Sequence, residues 1–316
     1  MLRILLLTAS VLLLCGSMIP SQISAITYPR HNQVMQQKNG LASIKVEWRG
    51  AGEKIRLSRA GQFIGESTTG EFTDVTAGWY EAGLLSGGTE VDRINIGVGD
   101  VYVVAGQSNA VSPLQPDTYV PPMPPAGKVI LSDYYRQGWK SFIDAGVTKP
   151  TAGIAWLHAG IALNRPYPVM FVIVARGNTS TEDWVYGRYG TLLNLETAWA
   201  MYQPKAILWH QGESDAGLNV PQATSFGNMD AIILSIRNVT TTPWVIAKNS
   251  TSSKPPAPYT SWPIRSAQQD IIDKWPHVHL GPDTDQIRVP GEVEYMGDGM
   301  RLHGQLWAKR LIELGL

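Results

Sequence analysis

The chain has 316 residues, with 26 basic and 26 acidic side chains and a formal charge of zero. That balance excludes the basic footprint of a nucleic-acid binder and the polybasic patch of a membrane-surface protein. The length calls for one large domain or two ordinary ones. Eleven Trp and twelve Tyr stand against five Phe. Trp and Tyr join a flat apolar face to a polar tip, which suits sugar contact and half-buried packing alike.

Residues 1–25 read as a secretory leader. Arg3 supplies the positive start, Ile4 to Cys15 the apolar core, and Ile23-Ser24-Ala25 a small-residue cleavage site. The apolar core is short for a membrane span. Cys15 is the only cysteine, so the mature chain is expected to carry no thiol and no disulfide. The expectation is a secreted or periplasmic protein with no membrane span in the mature chain.

Residues 26–98 are rich in short strand-like runs. Ser43 to Trp48 alternates polar and apolar, Lys54 to Ser58 repeats the pattern, and Glu90 to Val98 adds another. Glycines punctuate them, and no helix pattern intervenes. This predicts a small antiparallel β-sandwich, structural or sugar-binding, with no catalytic cluster of its own.

From residue 99 to 316 the pattern changes. Asp100 to Gly106 reads as a buried strand entering a tight turn, Gly106-Gln107-Ser108-Asn109. Val169–Ala175, Ala206–Trp209, Trp244–Ala247 and Val278–Leu280 read as further strands. Helices are expected over Thr151–Asn164, Leu192–Tyr202, Met229–Asn238, Ser266–Lys274 and Gly299–Leu314. Strands alternating with helices imply a parallel, doubly wound α/β sheet. The run Val120 to Pro125 predicts a stiff loop bordering a cleft.

Three strand ends deliver polar clusters: Gly106-Gln107-Ser108-Asn109, Arg176-Gly177-Asn178-Thr179-Ser180, and His210-Gln211-Gly212-Glu213-Ser214-Asp215. Ligands bind at the carboxyl ends of strands in such sheets. Ser108 is the candidate nucleophile. The N–H groups of Ser108 and Gly177, with the Gln211 amide, are candidate donors to an oxyanion.

The runs DVYVVAGQSN (100–109) and WHQGESD (209–215) resemble the SGNH/GDSL hydrolases, in particular the branch of sialate O-acetylesterases and carbohydrate acetylesterases. Tyr28 to Gln33 and Gly97-Val98-Gly99 resemble the β-module that precedes the hydrolase domain in that branch. The resemblance implies a flavodoxin-like three-layer α/β/α domain that removes acetyl groups from sugars. It makes Ser108 the nucleophile, Gly177 and Gln211 the oxyanion donors, and Glu213 a holder of the polar network. It implies an acetylated carbohydrate as partner and no cofactor.

The resemblance also implies an Asp-x-x-His before the last helix, and here the chain departs. Matching the motif's glycine to Gly299 puts Glu294 in the histidine's place and Gly291 in the aspartate's. Arg301 would take the histidine's place in Asp298-Gly299-Met300-Arg301, but arginine holds its proton. Asp298 with His303 supplies both residue types at a spacing of five. His303 also shares a helix face with Met300, Trp307, Leu311 and Leu314, the pattern of a packed residue. Two functions follow: a serine esterase, or a catalytically impaired carbohydrate-binding protein on the same scaffold.

Other residues compete. His277 and His279 lie on one face of a strand, with Asp283 and Asp285 beyond, as a metal site or a displaced base. His158 sits in an apolar helix, and His210 stands beside the third cluster. Trp139 and Trp184 fit either a sugar site or the core. Asn178, Asn238 and Asn249 open glycosylation patterns.

Overall fold

The computed structural model describes residues 24–114, 120–134, 138–237, 241–252, 259–287 and 294–316. Most of the expected leader lies outside the described residues, as does Asn238.

The N-terminal strands enclose a core of their own, built on Ile44, Val46, Ile55, Leu57, Leu84 and Ile96. Gly78–Ser86 is the long strand of this part, and it pairs antiparallel with the first half of β1, Thr89–Gly106. β1 runs through the expected boundary between residues 98 and 99. Its second half is the centre of the next sheet. The two halves join without a linker because Gly99 lets the strand pass Pro168 closely. A Cβ there would stand 1.9 Å from the Pro168 carbonyl oxygen.

The other strands of this second sheet are β2 (Val129–Asp133), β3 (Gly138–Asp144), β4 (Val169–Ile173), β5 (Ala206–His210), β6 (Trp244–Lys248) and β7 (Val278–Asp283). Their spatial order is β3-β2-β4-β1-β5-β6-β7, parallel except for the antiparallel edge strand β3. The β2–β3 hairpin was not among the expected strands. β2 carries only three consecutive large apolar residues, too short a run to mark a strand by periodicity.

Helices cover both faces. They are α1 (Ser108–Val111), α2 (Ile154–Leu163), α3 (Thr181–Val185), α4 (Thr191–Tyr202), α5 (Glu213–Gly217), α6 (Gln222–Arg237), α7 (Trp262–Lys274) and α8 (Asp298–Glu313). Side chains alternate across a strand. Val101, Val103 and Ala105 therefore meet Leu195, Ile232 and Ile271 on one face. Tyr102 and Val104 meet Trp156, Leu157, Trp307 and Leu311 on the other. A strand covered on both faces reads as a continuous apolar run, and each large side chain so buried contributes about 1.5–3 kcal/mol. α6 begins seven residues before the expected Met229, because polar Gln222–Asn228 carries no apolar stripe; Asn228 instead donates to Thr181 Oγ1 at 3.1 Å.

Candidate active site

The three polar clusters stand on adjacent strands, β4, β1 and β5. The ladder continues past the strand ends: Arg176 N–H donates to Gly106 O at 2.8 Å, and Gln107 N–H to His210 O at 3.1 Å. Gly106, at φ 126°, passes against β5; a Cβ there would stand 1.9 Å from His210 O. Only glycine allows both the left-handed turn and that approach.

This turn puts Ser108 at the first position of α1, facing a cleft of about 220 Å³. Val111, Pro113, Tyr134, Arg176, Gly177 and Asn178 complete its lining. A Cβ on Gly177 would lie 3.8 Å from Ser108 Cβ, so the two residues are neighbours. Their backbone N–H groups make no hydrogen bond among the described residues. The pair thus offers two uncommitted donors beside one hydroxyl, the arrangement an oxyanion requires.

Gln211 does not join them. Its side-chain nitrogen donates to Gln107 Oε1 (2.8 Å), Thr179 O (2.7 Å) and Asp215 Oδ2 (2.9 Å), all buried. An amide has two hydrogens, and three acceptors already share them. Gln211 braces the clusters against one another instead. Asn178 offers an amide to the cleft that the motif alone did not single out. It follows Gly177, adopts φ 58°, lines the cleft, and its side-chain amide makes no hydrogen bond among the described residues. The signal was its place in the second cluster.

Behind the cleft lies a buried polar network. Glu213 accepts from Asn109 Nδ2 at 2.7 Å and from Asn249 Nδ2. His210 Nε2 meets Thr284 Oγ1 at 3.0 Å, and Asn249 Nδ2 lies 3.3 Å from His210 Nδ1. Burial pushes the Glu213 carboxyl up to about 8, helped by the charge of Glu294. Burial also drives His210 down to about 3. At neutral pH the network is therefore close to uncharged: a protonated acid beside a neutral imidazole. Asn249, fully buried within it, is closed to glycosylation.

His303 and Asp298 do not form a pair. His303 is fully buried and its Nε2 accepts the Trp307 indole N–H at 2.9 Å. Its ring packs 4.7 Å from His210 and 4.9 Å from Tyr295, and burial holds its pKa well below the ordinary value. Asp298 is 87% exposed and pairs with Arg301. Helix α8 presses on α2 so closely that a Cβ on Gly304 would stand 2.1 Å from Ala155 O. That packing turns the His303 face inward, away from the Asp298 end of the helix.

The remaining histidines are elsewhere. His277 and His279 lie at the amino end of β7, the edge away from Ser108, which removes them as a displaced base. Asp283 and Asp285 bind Arg265. Among the described residues no group of three or more His, Cys, Asp or Glu could hold a metal ion. His158 packs on α2, its pKa lowered to about 4 by burial and by Arg301. His31 accepts the Asn95 N–H at 3.2 Å, in the N-terminal part. None of the six histidines hydrogen-bonds Ser108 Oγ among the described residues.

Glu294 is closer to the site. Tyr295 N–H donates to Asn109 Oδ1 at 3.0 Å, so this segment lies against the residue beside Ser108. Trp184 is core, packed on Trp209 with ring centroids 5.0 Å apart. Another cavity, of about 460 Å³, lies by Asn32, Trp79 and Asn95, near the opposite end of β1 from Ser108.

Residues 98–280 match the family described as carbohydrate esterase, sialic acid-specific acetylesterase. Among solved structures, the chain is similar to a carbohydrate acetylesterase from Xanthomonas citri: 16% identity, TM-score 0.60, covering 91% of this chain and 74% of that one. It is also similar to a protein from Arabidopsis thaliana: 17% identity, TM-score 0.50, covering 68% of this chain and 98% of that one. No curated protein sequence matches it. The fold is thus the three-layer α/β/α architecture of the SGNH hydrolases, preceded by small antiparallel sheets.

Proposed function

The chain belongs to the carbohydrate esterase family of sialic acid-specific acetylesterases, and on that premise we propose that it is an exported carbohydrate O-acetylesterase with Ser108 as nucleophile. The observation that carries this is the Ser108 hydroxyl beside the uncommitted N–H groups of Ser108 and Gly177, in one cleft. The leader-like residues 1–25 support export. Among the described residues no helix is long and apolar enough to cross a membrane.

In this mechanism Ser108 Oγ attacks the acetyl carbonyl while its proton passes to a base. The oxyanion that forms is held by the two backbone N–H groups and by the Asn178 amide. Collapse breaks the ester bond. The sugar oxygen leaves with the proton from the base, and the acetyl group stays on Ser108 Oγ as an ester. Water then repeats the sequence: it attacks the acyl group, gives its proton to the base, and releases acetic acid as Ser108 regains its proton.

The base in this proposal is the Glu294 carboxylate, which occupies the histidine's place in sequence. It is supported by the Tyr295–Asn109 bond and by the effect of its charge on Glu213. A carboxylate accepts a proton less readily than an imidazole at neutral pH, so turnover is expected to be slow.

The second reading is a carbohydrate-binding protein without turnover. It is favoured by the lack of a hydrogen bond from any of the six histidines to Ser108 among the described residues. Acetate release from 4-nitrophenyl acetate and acetylated sugars separates the two. The esterase reading expects Ser108→Ala and Glu294→Gln each to reduce release roughly a thousandfold or more, since members of a catalytic unit fail together. Full activity in Glu294→Gln with loss in Ser108→Ala would place the base elsewhere. Sugar binding with no release by any variant would establish the second reading.

A further inference from the structure

The Ser108 cleft has a neighbour. A second hollow of about 150 Å³ opens beside it, and Tyr134 and Arg176 line both. Its walls include Trp139, Tyr189 and Asn194. Trp139 is half-buried against the core, its ring held edge-on by Tyr202 at 6.3 Å and met by the Lys140 ammonium at 5.0 Å. Tyr189 is 67% exposed and sits at φ 59°, a left-handed backbone that disfavours an aromatic side chain. The Arg176 guanidinium stacks over its ring at 5.3 Å and has no carboxylate partner among the described residues. The Asn194 amide likewise makes no hydrogen bond there.

Core packing anchors Trp139 but does not explain Tyr189. An aromatic residue with most of its surface in water, braced by a cation, is a platform without a load. Aromatic faces bind the apolar C–H faces of pyranose rings, while free amide and guanidinium donors take their hydroxyls. A hollow that shares the Tyr134 and Arg176 wall with the reaction cleft is placed to receive what is attached to the reacting sugar.

We propose that the hollow formed by Trp139, Tyr189 and Asn194 is a second sugar subsite, so that the substrate is an acetylated oligosaccharide and not a free monosaccharide. This rests on the esterase reading for its link to turnover, though not for binding.

The test pairs O-acetylated xylotriose with O-acetylated xylose, and O-acetylated sialyllactose with O-acetylated sialic acid. At least one trisaccharide is expected to have the higher kcat/KM. Tyr189→Gly, which suits the left-handed backbone, and Asn194→Ala should each raise its KM, by about tenfold for Tyr189→Gly, with kcat unchanged. Turnover of 4-nitrophenyl acetate, which has no second sugar, should stay as in the wild type. Equal kcat/KM for trisaccharide and monosaccharide in both pairs overturns the subsite, as does equal loss on every substrate. If wild type and Ser108→Ala alike release nothing, the esterase reading has failed. Calorimetric titration of the same trisaccharides then decides the subsite: weaker binding by Tyr189→Gly supports it, and unchanged binding overturns it.

Discussion

Trp307 donates its indole N–H to Nε2 of His303 at 2.9 Å, one helical turn away on the same helix. The bond commits the one histidine of the C-terminal helix to the core between the sheet, α2 and α8. Removing the imidazole leaves a cavity and an orphaned indole donor. His303→Ala should therefore destabilise the protein by about 2–4 kcal/mol in urea unfolding. His303→Gln, which keeps an acceptor, should lose less. Activity per folded molecule should be unchanged in both. A large loss of rate at unaltered stability, with a flattened pH profile, would return His303 to the mechanism.

Asn178 and Gln211 should fail in opposite ways. Gln211 makes three buried contacts with Gln107, Thr179 and Asp215. Gln211→Leu strands those acceptors and should cost at least about 1–3 kcal/mol of stability. Asn178 makes no side-chain bond among the described residues, and glycine suits its φ of 58°, so Asn178→Gly should move stability by under about 0.5 kcal/mol. Its kcat should nonetheless fall about a hundredfold. Denaturation curves beside steady-state rates give both comparisons.

Stability should peak near pH 6.5. His210 near 3, His158 near 4 and His303 well below 6.5 stay neutral in the folded protein, while the unfolded chain takes up protons below about 6.5. Stability therefore falls as pH drops through that range. Glu213 works in the other direction: folded, it keeps its proton up to about pH 8, whereas unfolded it releases it near 4.5. Stability from this group is full below 4.5 and is lost as pH rises to 8. Above 6.5 the histidine contribution is constant, leaving a decline on the order of 1 kcal/mol per pH unit. Glu213→Gln should abolish that decline in melting curves between pH 6.5 and 8.

Gly106→Ala should be among the most damaging small substitutions. Its methyl group would meet His210 O at 1.9 Å on a backbone of φ 126°. A loss of about 3 kcal/mol or more is expected from strain and a broken β1–β5 contact. Near-native stability of the variant would mean that the turn reshapes freely and does not hold Ser108.

The chemistry-bearing strand ends were legible in the sequence because their signals are local. Val101 to Ala105 is apolar without interruption, as a strand covered on both faces must be. Gly106 marks where the backbone has to turn, and Gly177 lies beside Ser108. Four of the five helices expected from the sequence lie within a few residues of their observed bounds, since their apolar stripes set their extent. α6 began earlier because its first turns are polar and are held by Pro221 and Asn228, outside any periodic pattern.

The sequence by itself determined that three polar clusters follow three strands and that one of them holds Ser108. It determined too that the Asp-x-x-His has no direct counterpart. Tertiary structure alone decided which polar atoms remain available. Gln211 and Asn178 belong to equivalent strand-end loops, yet one is consumed by Asp215, four residues on, and the other opens on the cleft. His303 was consumed in the same way when α8 packed against α2. A side chain's chemistry is written in its type, but its availability depends on partners that only the packed chain brings within hydrogen-bonding distance.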